Sequence, residues 1–312
     1  MIDPRAEHST AVSVSVRALI DLRAAGENLG LPKTSIRAGE SGGYLSAYKG
    51  RGIEFEESRL YQPGDDARTI DWRVTARTGR THTKLYHEER QRPVLFCVDF
   101  RPGMYFATRG AFKSVVAARV AALLAWSSHH HGDRVGGLLF SEDNHRELRP
   151  QRGKAAVLRL IRQLVTFGRW TGPSAPPSKA VPLSSPLSRL RRVTRPGSLI
   201  FIISDFRLLD QDVERHLAQI SRHNSVVLVF VYDPIEAQLP PPGLYRVTDG
   251  QRDVLLDSAV AEARELYHAR YTELQESLRG LCRRYGMSLI PLATNADLTA
   301  SLRNDLPGRA AV

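Results

Sequence analysis

Three apolar runs constrain what this chain can fold into. Val94–Phe100, Ser198–Ser204 and Val226–Tyr232 are short, nearly unbroken stretches of Val, Ile, Leu and Phe. A strand with one wet face alternates apolar and polar residues, whereas a continuous run suits a strand covered on both faces. Segments of helical periodicity lie among them, at Phe112–Ser127, Val157–Phe167, Leu187–Val193 and Leu209–Ser221. Further strands are predicted at Asp133–Phe140, Arg146–Arg149 and Ser288–Leu292, and further helices at Asp257–Tyr285 and Ala296–Arg303. This alternation predicts an α/β fold whose mainly parallel sheet carries helices on both faces.

The first third of the chain reads differently. Val14, Val16, Leu19, Ile20, Leu22 and Leu29 give residues 13–29 an amphipathic pattern that Gly30 and Pro32 end. A Gly-rich polar stretch, Gly39–Gly52, follows as a loop. Between Arg59 and Arg92 short β-like pieces alternate with turns, the strongest being Gln62-Pro63-Gly64-Asp65-Asp66. Three regions are therefore predicted: an N-terminal helical segment (1–38), a small β-rich subdomain (39–92) and the α/β domain (93–312). Within the last, Pro173–Pro186 reads as a long loop, and a hairpin turning at Asp249-Gly250 is inserted near 243–257.

Several function classes fall away on composition. The longest apolar runs are strand-sized, so no membrane-spanning helix is predicted, and the first ten residues lack the apolar core of a secretory signal. Cys97 and Cys282 make neither a disulfide framework nor a metal set, which points to the reducing cytoplasm. The 44 basic residues include six lysines, leaving 38 arginines, and the net charge is +11. That charge reads as spread along the chain without the aromatic-plus-basic pattern of an RNA-binding module, so a nucleic-acid partner is not the expectation. No Gly-rich phosphate loop follows a strand, no Gly-x-Ser-x-Gly elbow occurs, and Cys97 sits inside an apolar run where a thiol is inert. The chain is expected not to be an enzyme.

Two strands end in acids: Asp99 in Phe96-Cys97-Val98-Asp99-Phe100, and Asp205 in Ile202-Ile203-Ser204-Asp205-Phe206. Ligands of such sheets bind beyond the carboxyl ends of the strands, at the point where strand order reverses. Any site should be sought there.

The stretch Arg59-Leu60-Tyr61-Gln62-Pro63-Gly64-Asp65-Asp66-Ala67-Arg68-Thr69-Ile70-Asp71-Trp72, continuing through Thr75-Ala76-Arg77 and Lys84, closely resembles the signature of the bacterial domain of unknown function 58 family. The order downstream matches as well: an acid ending a strand, a Lys-containing Ala-rich helix, Gly132-Asp133-Arg134-Val135-Gly136, and Ile203-Ser204-Asp205-Phe206. The resemblance implies a von Willebrand A-type (Rossmann-like) domain preceded by a small β subdomain. It also implies an adaptor or co-chaperone role beside a MoxR-type AAA+ ATPase and its client proteins. Domains of that type hold Mg²⁺ through Asp-x-Ser-x-Ser at the end of the first strand, with a Thr and a second Asp from later loops. Here that motif reads Asp99-Phe100-Arg101-Pro102-Gly103, so Arg101 and Gly103 replace both serines, and Ser184 and Ser185 stand in the region of the Thr.

A hard dication needs several oxygen ligands, and a site reduced to Asp99 and Asp205 is degenerate. No cofactor is expected, with Mg²⁺ on those two acids as the alternative. Arg101 can pair with Asp99 or Asp205 and present positive charge to an acidic partner, or point into solvent while the acids cap local turns. The expected partner-binding face comprises Asp99, Arg101, Gly103, Ser204 and Asp205. Around Trp72, the acids Asp65, Asp66 and Asp71 and the bases Arg68, Arg73 and Arg77 form either a recognition loop or turn chemistry, with Asp71 paired to Arg68 or Arg77 and Trp72 packed on the sheet. His129-His130-His131 are consecutive on a helix and cannot face one metal.

Overall fold

The computed structural model describes residues 11–32, 53–62, 70–88, 91–168, 182–248 and 253–306. The chain divides into two compact units, one of Met1–Ile36 with Arg92–Val312 and one of Arg37–Gln91. The larger opens with two short helices, α1 (Val16–Asp21) and α2 (Arg23–Glu27), where periodicity predicted one. Ser15 caps α1 by accepting a hydrogen bond from the Ala18 N–H.

The smaller unit holds an antiparallel ribbon. Strand β1 (Ile53–Leu60) pairs with β2 (His82–Glu88), Leu60 opposite His82 and Ile53 opposite Glu88. Between them in sequence lies a helix that was not expected, α3 (Trp72–Thr78). Asp71 is its cause: the carboxylate accepts from the N–H groups of Arg73 and Val74, a side-chain N-cap, and also from the Ser58 hydroxyl at 3.0 Å. Gly79, at φ 69°, ends the helix in the left-handed region. One expectation changes as a result. Trp72 is not packed on a sheet but 69% exposed, because the cap makes it the first residue of a helix. Asp71 serves as a cap, Arg77 is exposed in the last turn of α3, and the expected pairing of Asp71 with Arg68 lies outside the described residues. Tyr61 is half-buried; Pro63, Gly64, Asp65, Asp66 and Arg68, and the side chain of Arg59, lie outside the described residues.

The larger unit resumes with β3 (Pro93–Asp99), α4 (Lys113–His130), β4 (Arg134–Phe140), β5 (His145–Gln151), α5 (Lys154–Phe167), α6 (Ser184–Val193), β6 (Leu199–Ser204), α7 (Gln211–Ser221) and β7 (Ser225–Tyr232). There follow α8 (Pro234–Ala237), the hairpin strands β8 (Leu244–Thr248) and β9 (Asp253–Asp257), α9 (Ala261–Tyr285), β10 (Ser288–Ala293) and α10 (Leu298–Asp305). The hairpin thus lies where the sequence placed it, α6 starts inside the stretch read as loop, and α9 starts at Ala261 rather than Asp257.

Six strands form one sheet in the order β10-β7-β6-β3-β4-β5, parallel throughout except for β5 against β4. The fold is the α/β arrangement anticipated from the apolar runs, and its mainly parallel six-stranded sheet is of the von Willebrand A type that the resemblance implied. Strands β3, β6 and β7 are buried on both faces, as continuous apolar runs require. Val94, Phe96 and Val98 pack with α4 and α5 on one side, whereas Leu95 and Cys97 pack with α6, α7 and α9 on the other. From β3 the chain moves outward through β4 and β5, then returns to β6 on the opposite flank of β3. Strand order therefore reverses between β3 and β6.

Residues 1–38 were expected to stand apart, yet the described part of that segment belongs to the main core. Helix α4 is buried on nearly every side, only Arg119, His129 and His130 escaping, so it needs a cover on the face turned away from the sheet. Leu19 and Leu29 supply that cover. The Trp126 indole N–H donates to the Leu19 carbonyl at 3.1 Å, and the Ser127 hydroxyl to the Leu29 carbonyl at 2.7 Å. Gly26 permits the approach: a Cβ there would lie 2.6 Å from the Leu123 carbonyl oxygen and 2.8 Å from the Trp126 Cβ. Gly26→Ala should therefore cost about 1–3 kcal/mol by overpacking. Thermal unfolding checks this, and an unchanged midpoint would show that the segment is not part of the cooperative unit.

Candidate functional site

Asp99 ends β3 and Asp205 follows β6, on either side of the strand-order reversal, where doubly wound sheets open a crevice. Both are buried. A carboxylate removed from water must recover its hydrogen bonds from the protein. Asp99 does so mainly through Arg101, whose backbone N–H reaches Oδ1 at 2.8 Å. The same guanidinium sets Nε 3.1 Å from both carboxylate oxygens and Nη2 2.7 Å from Oδ2. Ser204 donates its hydroxyl to Oδ2 at 2.7 Å and accepts from the Phe206 N–H at 3.0 Å. The Arg101 guanidinium lies over the Phe140 ring, 5.7 Å from its centroid.

Of the two pairings open to Arg101, the structure realises the one with Asp99. It does not present the charge outward, however, because Arg101 is only 8% exposed. A fork two residues after its carboxylate curls back onto it, and the turn Pro102–Met104 carries the chain away. Complete burial pushes the Asp99 carboxyl above the ordinary aspartate range, against the opposing pull of Arg101 and Ser204.

Asp205 is served by the lysine of the Ala-rich helix, to which no role was assigned from the sequence. Lys113, the first residue of α4, has no exposed surface, and its ammonium lies 3.1 Å from Asp205 Oδ2 and 2.9 and 3.2 Å from the two Glu236 oxygens. A cation at a helix N-terminus faces the positive end of the macrodipole, so these acids must outweigh both that and desolvation. Arg207 closes the group, its Nε 3.2 Å from Asp205 Oδ2 and its Nη2 donating to Glu236. Burial raises the Asp205 carboxyl, but Lys113, Arg207 and Arg101 outweigh it and hold the group below the usual range. Gly103 packs against this carboxylate: a Cβ there would stand 2.8 Å from Oδ2.

A third strand end completes the arrangement. Asp233, after β7, accepts from the N–H and hydroxyl of Thr108, the hydroxyl of Thr294 and the N–H of Ile235. Glu236 accepts from the Asp233 N–H at 2.9 Å, a capping box that fixes the carboxylate facing Lys113. Asp233 carried the same signal as Asp99, an acid closing an apolar run, and could have been found by it. Lys113 and Glu236 could not be paired from sequence, standing 123 positions apart.

The result is a closed set of charges: Asp99, Asp205 and Glu236 against Arg101, Lys113 and Arg207. It does not fit Mg²⁺. The oxygens a metal would use on Asp99 are occupied by a guanidinium and a hydroxyl, those on Asp205 face an ammonium and a second guanidinium, and the replaced serines supply no oxygen. Ser184 and Ser185 sit in the first turn of α6, and the donors described above to Asp99 and Asp205 do not include them. Elsewhere, His131 turns Nδ1 to the Ser127 carbonyl and meets the His130 ring edge-on. Both cysteines are free and buried; burial raises the Cys97 thiol and pushes Cys282 up to about 11.

Residues 57–277 match the family described as protein of unknown function DUF58. The chain belongs to that family. Uncharacterized relatives from Mycobacterium tuberculosis (strain H37Rv) and Mycobacterium bovis are each 29% identical over 266 residues, spanning 84% of this chain and 81% of their own. Among solved structures, the conserved hypothetical protein BatB of Bacteroides thetaiotaomicron aligns at 13% identity and a TM-score of 0.39, over 67% of this chain and 93% of its own. An aerotolerance-related membrane protein of Bacteroides fragilis aligns at 13% and 0.41, over 69% and 96%. No helix among the described residues of this DUF58 chain is long and apolar enough to cross a membrane.

Removing one member of a buried charge set leaves its partners uncompensated. Lys113→Met should cost about 3–5 kcal/mol, measured by urea denaturation. Because the folded-state Asp205 pKa is depressed, its contribution is present above the unfolded aspartate value and lost as pH falls through the folded value. The wild type should therefore lose stability on acidification more steeply than Lys113→Met; parallel profiles would refute the pairing. Titration calorimetry with Mg²⁺ should give no saturable heat below about millimolar concentration, since the donor set lacks the required oxygens.

Proposed function

We propose that this DUF58 protein is a non-catalytic binding module, an adaptor or co-chaperone for a MoxR-type AAA+ ATPase and its clients, engaging its partner metal-free at the carboxyl-end face of the sheet. The observation that carries the proposal is the closed charge set at the switch point. Metal-dependent recognition uses a partner carboxylate as a missing ligand, whereas here the chain's own cations already neutralise both strand-end acids. Those acids are equally committed against general acid–base work, which needs a group free to exchange its proton with substrate.

The contact surface then lies on the rim. After Asp205 the loop places Phe206 at φ 49° and Leu208 at φ 64°, two non-glycine residues in the left-handed region two positions apart. Such conformations cost about 1–3 kcal/mol each and persist where surrounding structure imposes them. Phe206 is buried, near the Phe230 ring at 6.5 Å between centroids, and this anchors the loop. Leu208 is 66% exposed and the neighbouring Arg207 side chain 54% exposed. An apolar tip beside a cation suits the core of a protein interface better than it suits water.

Binding to the MoxR-type ATPase should survive EDTA, weaken as salt screens Arg207, and fall about tenfold or more in Leu208→Ser, whose side chain takes no part in the charge set. Fluorescence titration of the wild type and the variant checks this. Loss of binding in EDTA would return the site to a metal. Binding unaffected by Leu208→Ser but abolished by Trp72→Ala would move the contact to the smaller unit, whose exposed Trp72 is the second candidate anchor.

A further inference from the structure

Basic residues occur along the whole chain, but acidic ones do not. From Leu148 to Ser204 there are 11 lysines and arginines and not one aspartate or glutamate. The 44 basic residues less these 11 leave 33, equal to the chain's 33 acids, so this one segment accounts for the entire net charge of +11. The reading of the charge as spread along the chain is thereby corrected.

The fold gathers the described cations of the segment around one edge of the sheet. The segment begins in the edge strand β5, continues into α5 and, past α6, ends in the interior strand β6. α5 packs on the face of the sheet bearing α4, and α6 on the opposite face. Arg159 ties α5 to β5 through the Gln151 side chain and the Arg149 carbonyl, and Arg189 ties α6 to His145 at the start of β5. Both helices spend their apolar residues on the core and turn cations outward, Lys154 and Arg162 on α5 and Arg189, Arg191 and Arg192 on α6; Arg149 in β5, Arg152 just after it and Arg195 just beyond α6 join them, and all eight are exposed. Among the described residues none of these eight forms an ion pair. That contrasts with the switch point, where every cation faces a carboxylate.

We infer that this edge is a second interaction surface, and that its partner is an acidic, Asp/Glu-rich polypeptide segment. Nothing in the inference depends on how the switch-point face is used. Nine of the 11 cations are arginine, whose planar fork accepts carboxylates in bidentate fashion. A single-stranded nucleic acid would call for exposed aromatic platforms, and among the described residues of the segment neither aromatic is exposed: Phe167 is half-buried and Phe201 fully buried. A membrane would call for apolar anchors, yet among the described residues none of the exposed large hydrophobic ones falls in the segment. The cations also lie on both faces of the sheet about its edge. A flat bilayer meets one side of such a ridge, whereas a flexible acidic chain can wrap both.

Fluorescence anisotropy of labelled polyglutamate, with single- and double-stranded DNA and phosphatidylserine vesicles as competitors, tests the inference on the full chain. Polyglutamate should bind at low salt and be released as salt rises. The triple variant Arg152→Glu, Arg162→Glu, Arg192→Glu should weaken binding about tenfold or more through like-charge repulsion. The variant Arg270→Glu, Arg279→Glu, Arg283→Glu changes net charge equally at exposed positions on α9 and should alter it less than about threefold. Circular dichroism of both variants verifies the fold. Equal losses in the two would reduce the effect to net charge and overturn the inference. Tighter binding of DNA or vesicles than of polyglutamate, lost in the first variant, would overturn it in favour of a phosphate-bearing partner.

Discussion

The organisation of the larger unit turns on one buried ammonium. Lys113 has no contact with solvent and stands at the wrong end of a helix dipole, yet it draws together the ends of three elements: α4, on which it sits, the turn after β6 through Asp205, and α8 through Glu236. Desolvating a charge costs several kcal/mol per ion, and that cost is met only if every partner is in place. The set therefore behaves as all-or-none. Taking out a single charge strands two others in a medium that cannot hydrate them, whereas an apolar replacement of the whole set could be neutral. Such an arrangement contributes little net stability and much definition: it permits one geometry of the strand ends.

This requirement explains neighbouring features that look unrelated in the sequence. Gly103 has no side chain because Asp205 lies where a Cβ would point. Thr108 and Thr294 converge on Asp233 because the turn bearing Glu236 must be held at the height of the Lys113 ammonium. The left-handed conformations of Phe206 and Leu208 follow from a chain that must leave Asp205 with its carboxylate turned inward and its next cation, Arg207, turned back upon it. Strain in the loop and exposure of Leu208 are thus consequences of satisfying the carboxylates beneath.

The sheet was legible in the sequence because its central strands are buried on both faces, which forces unbroken apolar runs that few other structures tolerate. Asp99 and Asp205 were legible for a related reason: an acid after such a run marks the place where the strand leaves the core. Arg101 was readable as a partner of Asp99, two residues away, but its burial was not, since that depends on Phe140 arriving from another strand. Lys113 and Glu236 meet only through the tertiary fold. Helix α3 was missed because its signal is the single side chain of Asp71 rather than a periodic pattern. The N-terminal helices read as separate because nothing local reveals that α4 is apolar all round and needs covering on its outer side.

The charge distribution carries the opposite lesson, since it was present in the sequence all along and concealed by a count of cations alone. What matters electrostatically is where the acids are missing. From Leu148, just past Glu147 in the edge strand β5, to the start of β6 the chain makes two helices without an acid, and the fold sets their described cations about a single ridge. At the switch point the same residue type, arginine, is enclosed by carboxylates and contributes to internal order. On the ridge its described members meet neutral groups, water and salt rather than carboxylates, and fields there decay over about 8 Å at physiological ionic strength. Arginines enclosed by acids are spent on the fold, and arginines left open on one edge retain their capacity to bind. Loss of a partner charge within the chain should therefore disturb the first surface alone, whereas salt in the medium should weaken both, and the second more.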